Sequence, residues 1–184
     1  MTKIRILGIA GSLRKGSYNM ALLKAAQSIS PDDAEIEILD ISNIPVFNQD
    51  LEADMPESVK ELKTRVKAAD AILFATPEYN YSVPGVLKNA IDWASRPYAD
   101  NSWAGKPVAI MSASNGTIGG ERAQLHLRQS FVYLDMHPVN KPEVIVTFAS
   151  QKIGADGALN DEQTKKWIRE LVRALVALTK KLSG

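Results

Sequence analysis

Gly8-Ile9-Ala10-Gly11-Ser12-Leu13-Arg14-Lys15-Gly16-Ser17-Tyr18-Asn19 follows the apolar run that begins at Ile4 and leads straight into an amphipathic segment from Met20 to Ile29. It reads as strand, tight loop, helix start. The first backbone N–H groups of a helix lack internal partners, its dipole is positive there, and glycines let the chain close around tetrahedral oxygens. Hydroxyls at Ser12 and Ser17, the Asn19 amide and the Arg14 charge supply the side chains a phosphate needs. Two other readings compete: a glycine-bearing turn with no ligand, and a dinucleotide turn. The second wants G-x-G-x-x-G, which glycines at 8, 11 and 16 do not form. Asp40 falls near the end of the next strand, where a ribose-binding acid sits, but reads as a turn residue. A Walker loop fails because no Gly-Lys-Ser/Thr closes the spacing, and a thiolate phosphatase fails because the chain has no cysteine. The loop is expected to hold a ligand's phosphate without cleaving it.

Composition narrows the classes further. The chain has 184 residues, 45% of them hydrophobic, which fits one globular domain over 1–184. Its 22 basic residues are scattered among 21 acids for a net charge of +1, which argues against nucleic acid as a partner. No apolar run approaches the roughly 20 residues that cross a bilayer, and the N-terminus enters a strand without a signal-peptide pattern, so a cytoplasmic protein with no membrane partner is expected. Without cysteine, redox chemistry must come from a bound cofactor. His126 and His137 stand apart from any ligand pattern, and no metal is expected.

Outward from the loop, the pattern alternates strand and helix. Ile4 to Ala10 predicts strand one; Leu22, Ala26 and Ile29 form the buried face of helix one, capped near Ser17. Strand two is expected at Glu35 to Ile41. Helix two is expected to be capped by Asp54, with Val59, Leu62, Val66 and Ala69 inside. Strand three is Ala71 to Ala75. Helix three buries Leu87, Ala90, Ile91 and Ala94, and strand four is Pro107 to Met111. A helix from about Glu121 to Leu134 and a strand at Glu143 to Phe148 follow. The last helix is expected to be capped by Asn160 and buried along Trp167, Leu171, Leu175, Leu178 and Leu182. Five strands alternating with five helices predict an α/β doubly wound parallel sheet of order 2-1-3-4-5 with helices on both faces.

Two further loops leave the same edge as the first. Thr76-Pro77-Glu78-Tyr79-Asn80-Tyr81-Ser82-Val83-Pro84-Gly85 is rich in aromatic and amide groups and suits a flat ring, unless it is only a connector. Ser112-Ala113-Ser114-Asn115-Gly116-Thr117-Ile118-Gly119-Gly120 is either a close-approach loop or a flexible turn. In order 2-1-3-4-5 the three loops converge, and a ligand with a phosphate at one end and a ring at the other would satisfy all of them.

The 11–19 stretch and Pro77 to Gly85, followed by Leu87-Lys88-Asn89-Ala90-Ile91-Asp92-Trp93, resemble the NADPH-dependent FMN reductase family, notably its quinone and chromate reductase members. The resemblance covers nearly the whole chain. It implies a flavodoxin-like fold, noncovalent FMN, and NADPH or NADH as hydride donor in a ping-pong cycle. The acceptors it implies are quinones, azo and nitro compounds, free flavin or chromate. By the family's pattern Ser12, Arg14, Ser17, Tyr18 and Asn19 hold the FMN phosphate, and Pro77, Glu78, Tyr79 and Asn80 line the ribityl and ring. Ala113, Ser114 and Gly116 match the ring-edge segment; at Ala113 relatives often carry serine, so backbone N–H donors are expected to replace a hydroxyl. No side chain is assigned as catalytic. A homodimer or homotetramer is implied, with Arg96, Arg122 and Glu143 at positions of intersubunit contact. The alternatives are an FMN electron carrier without its own nicotinamide site, which usually carries strong negative charge, and a non-catalytic anion-binding protein.

Overall fold

The computed structural model describes residues 3–184; Met1 and Thr2, the first two of the expected domain, lie outside the described residues. β1 (Ile4–Ala10), β2 (Ala34–Leu39), β3 (Ala71–Thr76) and β4 (Pro107–Ala113) pair in parallel in the order β2-β1-β3-β4. β3 and β4 are buried along their whole length, which is why they read as unbroken apolar runs instead of alternating ones. α1 (Tyr18–Ser28) and α5 (Glu162–Ser183) cover one face of the sheet, over Ile6, Leu73 and Met111. α2 (Glu57–Ala68), α3 (Gly85–Ala94) and α4 (Glu121–Leu134) cover the other, over Leu7, Phe74 and Ile110. There Phe74 lies between Trp103 and Phe131, with ring centroids 5.8 and 5.9 Å away, and burial of each such ring contributes about 1.5–3 kcal/mol.

Several local expectations are corrected. The fifth strand position is shared by β5 (His137–Pro138), beside the start of β4, and β6 (Val144–Val146), beside its end. The strand expected at Glu143 to Phe148 is present as β6 and is shorter, because Phe148 turns left-handed (φ 49°) at the start of the next 3-10 turn. Asp54 closes a short 3-10 turn at Gln49–Asp54 and does not cap α2, whose N-cap is Pro56 with no side-chain bond. Asp161, not Asn160, caps α5, accepting from the Thr164 N–H at 2.8 Å. The buried line of α5 runs through Ile168, Leu171, Val172, Leu175 and Val176, while Trp167 and Leu182 are exposed. The predicted line drifts off one face at both ends because its mean spacing exceeds 3.6 residues. Asp40 forms the turn after β2, its carboxylate accepting from the Ser42 N–H and hydroxyl at 2.8 and 2.9 Å.

The irregular segment between α3 and β4 is tied down from inside. The Lys63 ammonium donates to the Arg96 and Asp100 carbonyls and pairs with the Asp100 carboxylate, and burial pushes its pKa below the usual lysine range. Arg96 pairs with Glu52 on the 3-10 turn and packs on the Tyr98 ring. Among the described residues no helix is long and apolar enough to cross a membrane, and no group of three or more potential metal-binding side chains occurs.

Candidate functional site

Parallel pairing brings the carboxyl ends of β1, β3 and β4 side by side, with the switch of strand order between β1 and β3, where ligands of such sheets bind. The loops that follow meet in a cleft of about 180 Å³. Ser12, Arg14, Ser17, Tyr18, Asn19, Pro77, Glu78, Tyr79, Ala113 and Ser114 line it; Asn80 and Gly116, also predicted, do not. Asn115 lines it as well, although sequence reasoning did not single it out.

The first loop keeps its donors free. Ser17 caps α1, its hydroxyl oxygen accepting from the Met20 N–H at 3.2 Å, which leaves the hydroxyl proton for a ligand. The Gly16, Tyr18 and Asn19 N–H groups have no protein acceptor among the described residues. Arg14 is exposed, its guanidinium 5.0 Å from the Tyr18 ring centroid. Gly11 permits the close approach of the first two loops, since a Cβ there would meet Leu87 Cδ2 at 3.1 Å and Pro77 Cδ at 3.2 Å. Ser12 and Tyr79 hydroxyls stand 3.5 Å apart across this junction.

Asn19 has a different role from the other polar residues of its loop. Its side chain is buried, its amide donating to the Ala113 carbonyl at 3.0 Å and its oxygen accepting from the Ala113 N–H at 2.9 Å. The side chain therefore yokes α1 to the end of β4, and only the backbone N–H faces a ligand. The same bonds consume both polar backbone groups of Ala113, so its N–H is not the substitute donor expected. Ser114 N–H donates to Val146 O, and Gly116 N–H to the Ser114 hydroxyl oxygen. Glu78, Asn80 and Asn115 N–H remain without protein acceptors among the described residues. Asn115 is a second strut, donating to the Tyr18 hydroxyl at 3.2 Å and accepting from Ser150 N–H at 2.8 Å.

The second loop is held by α4. Gly120, the N-cap of α4, has no side chain to offer, and Glu78 takes that place from the neighbouring loop. Its carboxylate accepts from Arg122 N–H at 3.0 Å and Ala123 N–H at 3.4 Å and pairs with the Arg122 guanidinium at 3.4 Å. Arg122 in turn lies 4.0 Å from the Tyr81 ring centroid, and the Ser82 hydroxyl lies 2.9 Å from His126 Nδ1. Tyr79 and Ser82 exchange backbone bonds around a two-residue turn in which Asn80 (φ 50°) and Tyr81 (φ 64°) are both left-handed. A tyrosine in that region is strained, a condition that tertiary bonds must hold in place. Gly119 and Gly120 serve packing: a Cβ would meet Ile145 Cγ2 at 2.6 Å or Ser112 Cβ at 2.9 Å. Arg96, Arg122 and Glu143, expected between subunits, each have a partner within the chain, namely Glu52, Glu78 and Lys141.

The donor set fits a phosphate ester at the α1 start, with an aromatic wall beside it. At about 180 Å³ the cleft is smaller than pockets that enclose a whole ligand, so it would leave part of a ligand of that kind outside.

The chain is similar to known oxidoreductases. An NAD(P)H-dependent FMN reductase of Pseudomonas aeruginosa is 50% identical over 182 residues, covering 98% of each chain. An NAD(P)H:quinone oxidoreductase of Solanum tuberosum is 50% identical over 188 residues, 98% of this chain and 95% of the relative. The solved structure of FerB, a flavoenzyme NAD(P)H:(acceptor) oxidoreductase from Paracoccus denitrificans, superposes with a TM-score of 0.89 at 42% identity, over 97% of this chain and 98% of that one. The family model described as NADPH-dependent FMN reductase matches residues 4–151, and the chain is an oxidoreductase belonging to that family.

Proposed function

We propose that the cleft holds FMN and that the protein passes reducing equivalents from NADPH or NADH to quinones or similar acceptors, by turns, at one shared face. The observation that carries this reading is the meeting of three separate loops around unpaired N–H groups at the start of α1. When bound, FMN supplies hydride acceptance and donation that no side chain here can perform. Arg14, Ser12, Ser17 and the Gly16, Tyr18 and Asn19 N–H groups hold the phosphate. Pro77 and Tyr79 would wall the ribityl and ring, and the unpaired Glu78 and Asn115 N–H groups would be donors to developing negative charge on it. Glu78 itself positions the loop through α4.

A ring held in so open a cleft would let donor and acceptor use the same place in succession, which is what a ping-pong cycle needs. An open face also admits chromate, azo and nitro compounds and free flavin. Within a single domain of this kind, positioning carries the catalysis and no acid or base is assigned. Cytoplasmic residence fits a chain without cysteine.

We also read the protein as a homodimer or homotetramer. Leu125, Val132 and Tyr133 stand exposed on α4, with Val132 83% exposed, and α4 begins at the cleft. Light scattering on the holoprotein checks it: a monomer at micromolar concentration overturns that part.

The decisive test is colour. Protein purified with FMN should be yellow and should lose its visible absorbance under anaerobic NADPH or NADH, then regain it on adding a quinone. Protein that stays yellow under both nucleotides is an electron carrier, and protein that binds no FMN is neither.

A further inference from the structure

Behind the wall formed by Arg14, Ser17 and Tyr18 lies a second cleft of about 470 Å³, between α1 and the loop that precedes α5. It borders the FMN cleft, since those three residues line both. Lys15 and Lys24 also line it, and neither they nor Arg14 forms an ion pair among the described residues. The facing wall is the tight turn 154–157, closed by bonds from Gly154 N–H to Ala158 O and Gly157 N–H to Gly154 O. One carboxylate, Asp156, is present, and it accepts from the Ala158 N–H at 3.0 Å. In a chain whose overall charge is only +1, three unpaired cations against one carboxylate around one cleft are a local excess.

We propose that this cleft is the subsite for the 2′-phosphate of NADPH, with Lys15 and Lys24 as the residues that make the protein prefer NADPH to NADH. The inference rests on the assignment of the neighbouring cleft to FMN and of a nicotinamide nucleotide as donor. NADPH differs from NADH only by one phosphate monoester, which carries about −1.5 to −2 charges at neutral pH. FMN brings its own phosphate to Arg14 and the α1 start, so the two lysines are surplus to the flavin. Lys24 sits seven residues beyond the Ser17 cap, roughly 10 Å along the helix. An extended dinucleotide with its nicotinamide at the mouth of the FMN cleft spans that distance. The adenosine would lie in the second cleft, against Met20, Ala21 and Ile153.

The test uses protein saturated with FMN. Replacing both exposed lysines, Lys15→Gln with Lys24→Gln, should lower the NADPH-to-NADH ratio of kcat/KM by about 10-fold, through KM for NADPH, with NADH turnover unchanged. Calorimetric titration with 2′,5′-ADP should show binding to the FMN-loaded wild type that is tighter than for 5′-AMP or inorganic phosphate, and the double variant should lose that advantage. An unchanged ratio in a variant that still holds flavin and oxidises both nucleotides overturns the proposal and leaves the reductase intact. Loss of flavin from the variant on desalting also overturns it, by assigning the lysines to FMN. Should wild-type protein oxidise neither nucleotide, the reductase reading falls by itself, and failure of 2′,5′-ADP to bind then removes this subsite too.

Discussion

The loops at 11–19 and 112–120 share a vocabulary of glycine, serine and asparagine and leave the same edge of the sheet, yet they differ in what their fastened groups are tied to. The first leaves N–H groups unpaired at a helix start, with Ser17 as cap and Arg14 beside it. The second is fastened at three points: Ala113 binds Asn19, Ser114 binds Val146 and Gly116 binds the Ser114 hydroxyl, while Gly119 and Gly120 make room for Ile145 and Ser112. On the proposed reading the first loop receives an anion, and the second braces it through the Asn19–Ala113 bonds. Composition cannot tell them apart, because availability of a donor depends on what lies next to it in space.

Asn19→Ala tests the yoke between them most severely. It leaves the buried Ala113 N–H and carbonyl without partners, which should cost about 2–4 kcal/mol in denaturant unfolding and weaken FMN binding at the same time. A variant as stable as the parent would mean that the two loops are independent. Arg14→Ala should act on the receptor alone. FMN affinity should fall by about 10- to 100-fold in fluorescence titration, while the flavin-free protein keeps its stability. Retention of flavin through desalting, coupled with loss of turnover at saturating FMN, would remove Arg14 from the phosphate site. Gly120→Ala should do the converse. With a φ of 93° and a Cβ only 2.9 Å from Ser112 Cβ, it should destabilise by about 1–3 kcal/mol and change intrinsic FMN affinity little.

The smallest effect lies away from both loops. Asp161→Ala removes the α5 cap and should cost about 1 kcal/mol at neutral pH. The Thr164 hydroxyl, then its N–H, hold the Asp161 carboxyl below the usual carboxylate range. A lowered folded pKa means the stabilisation is complete above the unfolded value, about 3.9, and is lost as pH falls through the folded one. The difference between parent and variant should therefore persist at pH 7 and close in acid; a gap that widens in acid would reverse the assignment.

Most of the frame was legible in the chain. β1 matches its predicted range, and α1 begins after Ser17 as its loop implies. The errors have physical causes. Pro142, with no N–H for a ladder, falls between the two short strands at the fifth position, and a cap can pass to the next residue, as from Asn160 to Asp161. At the site, the residues that converge were foreseen, but the division of labour was not. Asn19 looked like a phosphate ligand because amides suit phosphates, and nothing local shows that its side chain spends both groups on Ala113, 94 positions away. Glu78 likewise looked free, and the only hint otherwise was a helix starting at Gly120 with no cap of its own.

Periodicity and the glycine-bearing turn determined by themselves a doubly wound parallel sheet with a loop of unpaired donors after its first strand. Those follow from near-neighbour geometry, which the order of residues specifies directly. Only the folded chain decided which N–H groups stay open, which loop braces which, and where Lys15 and Lys24 stand relative to the flavin cleft. A donor or a charge becomes free or spent through groups distant in sequence, and their meeting is fixed when the sheet closes.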